Sequence, residues 1–578
     1  VLVLCISCGG SSALREPRTA EGPIEPAVTV TIDPLPHPFD LALLDGARGV
    51  RFKGLDARDH SGYSVSAAGD VNADGYADVL IGAPKAEHGK QAVLSGETYL
   101  VYGGPHLGVA KEGWFDLKTL DGESGLRFCG ASGADWSGFS VSGAGDVNGD
   151  GFDDVLIGAP MAYAKQYMSA GLTYIVFGGT HVGVATEGLV KLGTLDTKTG
   201  VRLEGAFEYD RSGFSVSAAG DVNADGYADV LVGAPYANRE SYGGKPKGRA
   251  CLVYGGPAVG TAGVLDLATL DGKSGVVMEG IEVNGLAGGS VSGAGDLNSD
   301  GHDDIVIGAW GYYPGAGGFG NTWSSTDVVY VVFGGPGLAG SGHFDLSTLD
   351  GTNGFRITGL KHGKVTGYSV SAAGDVNGDG HADLVVGAPR ASAAKVGETG
   401  TAHVVYGGPS MGSAGTIDLT SLDPADGLLF AGNAKGDRTG WSVSGAGDVN
   451  ADGFADILVG AVGADPCGLS AAGETYLVYG GPDIASTGVL DLTSLDGWTG
   501  ILLRGLGQSD NLGFSVSGAG DVNGDGHADL LLGSMAGPVA TGETYLVYGA
   551  APPAGGTGAY PAPGKKCPPP PKPALPSR

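Results

Sequence analysis

Apolar residues in this chain come in short alternating runs, not in long stripes. Gly62-Tyr63-Ser64-Val65-Ser66 is followed by an Asp-rich stretch and then by Val79-Leu80-Ile81-Gly82-Ala83-Pro84. A third run, Thr98-Tyr99-Leu100-Val101-Tyr102, closes on Gly103-Gly104-Pro105, and a fourth, Gly125-Leu126-Arg127-Phe128-Cys129-Gly130, follows a Leu-Asp-Gly turn. Runs of this length, rich in β-branched and aromatic residues and bounded by Gly and Pro, predict strands. No segment carries the pattern of a long amphipathic helix.

The four runs recur as a set. Asp70-Val71-Asn72-Ala73-Asp74-Gly75-Tyr76-Ala77-Asp78 has counterparts whose first Asp is Asp146, Asp221, Asp296, Asp375, Asp448 and Asp521. Seven copies of a four-stranded unit predict an all-β, seven-bladed β-propeller, which leaves only short, protected sheet edges. The alternative, an open β-solenoid, normally uses much shorter repeats. The first strand fits the propeller. Ser-Val-Ser occurs in every copy, beginning at Ser64, Ser140, Ser215, Ser290, Ser369, Ser442 and Ser515, and is followed by Ala or Gly. Radial sheets crowd at their axis, where only small side chains fit. The repeat also starts out of phase: a fourth-strand unit at Phe39 to Gly54 opens it and a third strand, Thr544 to Tyr548, ends it. Residues near 49–54 are therefore expected to complete the last blade and close the ring.

Composition changes the picture in two ways. Glycine and proline, 111 and 30 of 578 residues, approach the level of disordered chains. Yet 42% of residues are hydrophobic and 17% charged, so the glycines punctuate a periodic fold. The net charge of −30 repels phosphates and argues against nucleic-acid binding, whereas cations are the natural counterpart.

The Asp-rich loop supplies that counterpart. Its pattern Asp-x-Asn-x-Asp-Gly-x-x-Asp puts oxygen donors at positions one, three, five and nine, with a backbone carbonyl at seven and a turn-permitting Gly at six. Oxygen donors at this density suit Ca²⁺, which takes six to eight of them at about 2.3–2.6 Å. The expected structural ligands are Asp70, Asn72, Asp74, Tyr76 and Asp78; Asp146, Asn148, Asp150, Phe152 and Asp154; Asp221, Asn223, Asp225, Tyr227 and Asp229; and Asp296, Asn298, Asp300, His302 and Asp304. The last three sets are Asp375, Asn377, Asp379, His381 and Asp383; Asp448, Asn450, Asp452, Phe454 and Asp456; and Asp521, Asn523, Asp525, His527 and Asp529. His302, His381 and His527 would give only their carbonyls, since zinc-type use of the ring calls for a different donor set. The loop is not an EF-hand: the Glu required at position twelve is Ile81, Ile157 or Val232, inside a strand. A plain Asp/Asn turn needs one or two such residues, not five.

The Gly-aromatic-Ser-Val-Ser strand, this loop and the following Gly-Ala-Pro together resemble FG-GAP repeats over about residues 39–549. Such repeats form the β-propeller of integrin α chains and of many bacterial surface proteins. The resemblance implies Ca²⁺ in the hairpin between strands one and two on the lower face, and ligands or partner subunits on the upper face. This sequence departs from the pattern at Gly289, where other copies carry Tyr63, Phe139, Phe214, Tyr368, Trp441 and Phe514. Trp310, Val462 and Met535 replace the Pro of Gly-Ala-Pro. Nothing resembles the leg domains or membrane helix of an animal integrin.

Outside the repeats, residues 1–8 read as the tail of an apolar secretion signal, or else as a buried strand. Ser7-Cys8-Gly9-Gly10 resembles the lipobox of bacterial lipoproteins, with Cys5 where Leu is usual. Cys8 is the expected lipidation site, and a cell-surface, lipid-anchored protein the expectation. Residues 9–38 read as a tether, and 550–578, with ten prolines, as an extended or unstructured tail. The six cysteines are too scattered for a disulfide scaffold. Cys251 is expected to be buried and Cys129 to face solvent; a Cys467–Cys567 bridge is possible.

The six first-strand aromatics, Tyr63, Phe139, Phe214, Tyr368, Trp441 and Phe514, should ring one end of the channel. Integrin resemblance implies that they could cage a basic side chain of a partner, although simple packing accounts for them too. Blade 4 carries the longest insertion, with Trp310, Tyr312, Tyr313, Phe319 and Trp323, suited to a sugar or protein surface or to folding down as a lid. Its Gly315-x-Gly317-x-x-Gly320 lacks a following helix and is not a dinucleotide site. No catalytic motif breaks the symmetry. A monomeric, non-catalytic adhesion module for a protein or glycan is the leading expectation. The alternative is a propeller-based hydrolase or lyase, or an accessory domain of a phospholipase-type system.

Overall fold

The computed structural model describes residues 34–551, apart from 57, 88–93, 109–111, 181–185, 239–243, 260, 315–320, 324–326, 337, 339, 341, 361–363, 393–396, 485–487 and 536–540. Seven sheets stand around one axis, each built on one copy of the repeat. In blade 1 the strands Ser64–Gly69, Asp78–Ala83, Glu97–Val101 and Gly125–Cys129 pair antiparallel in that order, from the axis outward. The first strands of successive blades touch in a closed cycle, blade 7 against blade 1. Small residues are required there: a Cβ on Gly143 would come to 3.0 Å from the Ala67 carbonyl of the preceding blade.

The second and third strands are buried at every position in blade 1, because neighbouring blades cover both of their faces. The core therefore lies between blades. One cluster joins Leu80, Leu100 and Leu126 of blade 1 to Ile157, Tyr174 and Val176 of blade 2. Burial of this kind erases alternation and leaves continuous apolar runs such as Val79 to Ile81.

Closure follows the predicted phase. Gly49–Lys53 pairs antiparallel with Glu543–Val547, Gly49 opposite Val547, and becomes the fourth strand of blade 7. Each blade also has a fifth strand that the repeat reading missed. The segment just before each fourth strand runs parallel to the fourth strand of the preceding blade: Leu189–Lys191 of blade 2 pairs with Arg127–Cys129 of blade 1, and Val264–Asp266 of blade 3 with Arg202–Glu204 of blade 2. At the seam Trp114–Asp116 clips onto blade 7, and Phe39–Asp40 onto Leu503–Arg504 of blade 6. A three-residue 3₁₀ turn follows these clips. In Leu117–Thr119 the Asp116 carboxylate accepts the Lys118 N–H, and Leu117 drops into the core. Among the described residues such 3₁₀ turns are the only helices.

Cys129 corrects the sequence reading: its side chain is buried, not exposed. The fifth strand places Lys191 beside it, and Glu97 lies opposite, its carboxylate 3.7 Å from the sulfur. Cys251 is buried and free as expected. Cys467 is disulfide-bonded; Cys567, the partner considered from the sequence, lies outside the described residues, as do Cys8, the tether up to residue 33 and the tail from 552.

Candidate functional site

Two ends of the channel carry the repeated chemistry, since each first strand, except that of blade 4, begins at an aromatic, and all seven end at an Asp-rich loop. At the loop end the chain must turn sharply. A β-bulge between Ala67 and Gly69 bends the strand, and Gly75 sits at φ 91°. The same bulge and the same left-handed glycine recur in all seven blades.

Within the first loop each acceptor is engaged by backbone. Asp70 accepts the N–H groups of Asp74 and Gly75 at 3.0 and 2.9 Å. Asn72 accepts Asp74 N–H and donates to the Asp74 carboxylate, which in turn accepts Tyr76 N–H. Asp78 is fully buried and reaches two places at once, accepting Val71 N–H at 3.0 Å and Gly103 N–H at 2.9 Å. Position nine thus ties the loop to the Gly-Gly turn after the third strand. Gly104 then donates to Val522 of the adjacent blade, lacing the loops into a ring.

Burial pushes the Asp78 carboxyl up to about 7, opposed by its two N–H donors and reinforced by the Asp74 and Asp70 charges. Asp154, Asp229, Asp304 and Asp383 follow at about 7 and Asp456 at about 8, while Asp529 is raised well above the usual carboxylate range. Among the described ion pairs none involves these seven groups. Three carboxylates and one amide oxygen per loop form a hard, all-oxygen donor set, and an oxygen that accepts one N–H keeps a second lone pair. That chemistry fits a divalent cation. Among the described residues, however, no three His, Cys, Asp or Glu side chains converge as a ready-made cage; the carboxylates are fanned onto backbone N–H groups.

At the other end the six aromatics do form a ring. Tyr63 lies 4.8 Å from Phe139 and 5.0 Å from Phe514; Phe139 lies 4.9 Å from Phe214; Trp441 lies 5.8 Å from Phe514 and 4.7 Å from Tyr368. The gap at Gly289 is filled. Trp310 forms a cluster with Leu286 and Val365 against which both Phe214 and Tyr368, the neighbours on either side, pack, and its ring lies 5.2 Å from Tyr368. A Cβ on Gly289 would come within 2.0 Å of the Trp310 indole nitrogen. The two departures of blade 4 are thus one exchange: the ring is supplied from the end of strand two instead of the start of strand one. Beyond Trp310, Tyr312–Pro314 pairs with Asn321–Trp323 as a hairpin. Phe319 lies outside the described residues.

Sequence reasoning missed three groups of residues. The first Ser of each Ser-Val-Ser is a staple between blades, not only a small residue: Ser64 donates to Gly138, Ser215 to Gly288, and Ser515 to Gly62 across the seam. The recurrence of hydroxyls where Ala would fit was the available signal. Asp153 and Asp303, at position eight, accept Asp70 and Asp221 N–H from the neighbouring loop. Before the aromatics, Asp59, Asp135 and Asp510 cap the loops between blades, and burial pushes each up to about 6.

Sequence comparison agrees with this architecture. The FG-GAP repeat family model matches residues 61–94, 137–176, 212–250, 366–405, 439–478 and 512–548. These are blades 1, 2, 3, 5, 6 and 7; blade 4, with its exchanged aromatic, lies outside them. The molecule is a seven-bladed, all-β propeller built of FG-GAP repeats. Within that class it resembles integrin α chains: it is 29% identical over 260 residues to integrin alpha-5 of Xenopus laevis, covering 43% of this chain and 20% of the relative. It is 30% identical over 257 residues to integrin alpha pat-2 of Caenorhabditis elegans, covering 44% and 18%. It is also 32% identical over 195 residues to phosphatidylinositol-glycan-specific phospholipase D of Bos taurus, covering 34% and 20%. The chain thus spans about a fifth of the length of these curated relatives.

Proposed function

We propose that the chain is a calcium-stabilised, extracellular binding module that holds a protein or glycan ligand at its aromatic end and catalyses nothing. The observation that carries this reading is the division of labour between the ends. One end repeats an all-oxygen loop around a buried carboxylate seven times; the other offers partly buried aromatics that vary from blade to blade. Asp at positions one, five and nine, Asn at three and the carbonyl at seven would hold each ion. Bound Ca²⁺ would offset two of the three carboxylate charges of its loop. Asp78 and its counterparts then hold the loop to the Gly-Gly turn, so the ion's binding energy is shared by the ring of loops.

Native mass spectrometry of the intact chain at millimolar calcium tests the metal half, with about seven ions expected for seven loops. A metal-free spectrum there would end it. A glycan array and a pulldown from intact cells test the ligand half; turnover of a hit would instead mark an enzyme. A second reading, an accessory propeller in a phospholipase-type system, is favoured by the similarity to the phospholipase D relative. Anchoring through a lipid on Cys8 belongs to the same proposal, and metabolic labelling with a fatty acid tests it.

A further inference from the structure

The chain carries 63 acidic against 33 basic residues, so a place where two arginines line a cleft walled by aromatic rings stands out. One exists at the aromatic end between blades 4, 5 and 6. A half-open cleft of about 440 Å³ has Trp310, Tyr368 and Trp441 among its walls, with Arg390, Arg438 and Glu398 beside them. Its volume falls in the range of small-ligand pockets. The aromatic rings are fixed members of the channel ring, tilted at 60° and 49° to one another. Two faces of different slope are thus presented to a ligand without further ordering.

The charges point to the ligand's chemistry. The Arg438 guanidinium lies 5.6 Å above the Trp441 ring, so its cation and the indole face share one side of the cleft. Arg390 meets Glu398 at 3.5 Å, with both side chains about two-fifths to one-half exposed. Such a long, exposed pair is weak, and a better-placed carboxylate can displace it. Two planar guanidiniums offer bidentate geometry to a carboxylate. Val365, another wall residue, is β-branched yet held at φ 63°, a costly conformation, by its N–H bond to buried Asp327. An extended peptide finds little strand edge here, because the fourth strands of blades 5 and 6 are capped by the short strands Val489–Asp491 and Phe39–Asp40.

We propose that this cleft binds a carboxylate-bearing sugar ring, a uronic or sialic acid residue of a glycan, with the carboxylate between Arg390 and Arg438 and the ring against Trp441 and Trp310. The proposal rests on the reading of the aromatic end as the binding face and narrows its ligand. The test is isothermal titration of the full chain in calcium with a hyaluronan tetrasaccharide and with sialyllactose; lactose, the methyl ester of each acid and hexaglutamate serve as comparisons. At least one acidic saccharide should bind, and its methyl ester should bind about tenfold more weakly or worse. Arg438→Gln and Arg390→Gln should each weaken binding by about tenfold with an unchanged melting temperature, and Glu398→Gln should strengthen it about twofold by removing the competing carboxylate. No acidic saccharide binding at about 10 mM, equal affinity for lactose, arginine variants that bind normally, or tighter binding of hexaglutamate would each overturn the proposal. If cells are bound but the arginine variants bind them unchanged, the module reading stands and this one falls; if the saccharide binds but cells do not, the reverse holds.

Discussion

The two ends of the channel are built from the same seven strands and have opposite characters. At the loop end every blade repeats one solution: the same bulge, the same left-handed glycine, the same buried Asp reaching two backbone donors. At the aromatic end the residue changes around the ring, with Tyr, Phe and Trp and, in blade 4, an indole borrowed from another strand; only blades 2 and 3, both with Phe, match their neighbour. Repetition at one end serves a demand that is equal in every blade, holding the ring together. Variation at the other shapes a cleft with two arginines between blades 4, 5 and 6 rather than a pattern repeated in every blade. Seven-fold sameness suits structure, and broken symmetry suits recognition.

That contrast can be broken most forcefully at the loops. Chelation should lower the melting temperature by on the order of 10 °C, since ions bound only to the folded chain, as proposed for its seven loops, would add their stabilisation. Calorimetry with and without chelator checks this; a melt that does not move leaves the loops as plain turns. Next comes blade 4. Trp310→Ala should cost about 3 kcal/mol by opening a hole between Phe214 and Tyr368. Adding Gly289→Phe should restore much of that loss in denaturant titrations, although Gly289→Phe alone, facing the intact indole, should destabilise. Failure of the double variant to recover would mean that the two departures are unrelated.

A smaller effect separates the ends by pH. Asp135 has its folded pKa raised to about 6 by burial, above its unfolded value. Its contribution is therefore fully present below about pH 4 and is lost as pH rises through 6. Asp135→Asn keeps the acceptor for Ser132 N–H and removes that loss, so with calcium held constant it should gain on the order of 1 kcal/mol at pH 8 and nothing at pH 4. The smallest expected change is at a staple: Ser215→Ala should cost about 1 kcal/mol, the worth of one hydrogen bond.

Much of the fold was legible because its repeat length far exceeds chance and its strands are short. The phase of that repeat even located the seam, since a fourth-strand run before the first complete unit has nowhere else to pair. The fifth strand was invisible because two or three residues such as Trp114–Asp116 carry no period of their own. Cys129 was misplaced for the same reason: the sequence could not show that a fifth strand would bring Lys191 beside it. The donor residues of the loops were readable from spacing, but the double reach of Asp78 was not. It depends on a turn 25 residues away, which only the third strand brings back. The exchange of Gly289 for Trp310 was visible as two anomalies; that they cancel is a fact of three dimensions.

The shared rim has a consequence for how the chain is made. No sector is finished by its own residues, because the outermost rung of each arrives with the sector that follows. Through the fifth sector a growing polypeptide therefore ends in an incomplete sheet; the sixth and seventh take rungs made long before them, and Arg51 must wait for Tyr545 before the first-made segment finds its place. Whatever shields residues 39–53 during that interval, a chaperone or the solvent itself, guards the last latch of the whole assembly.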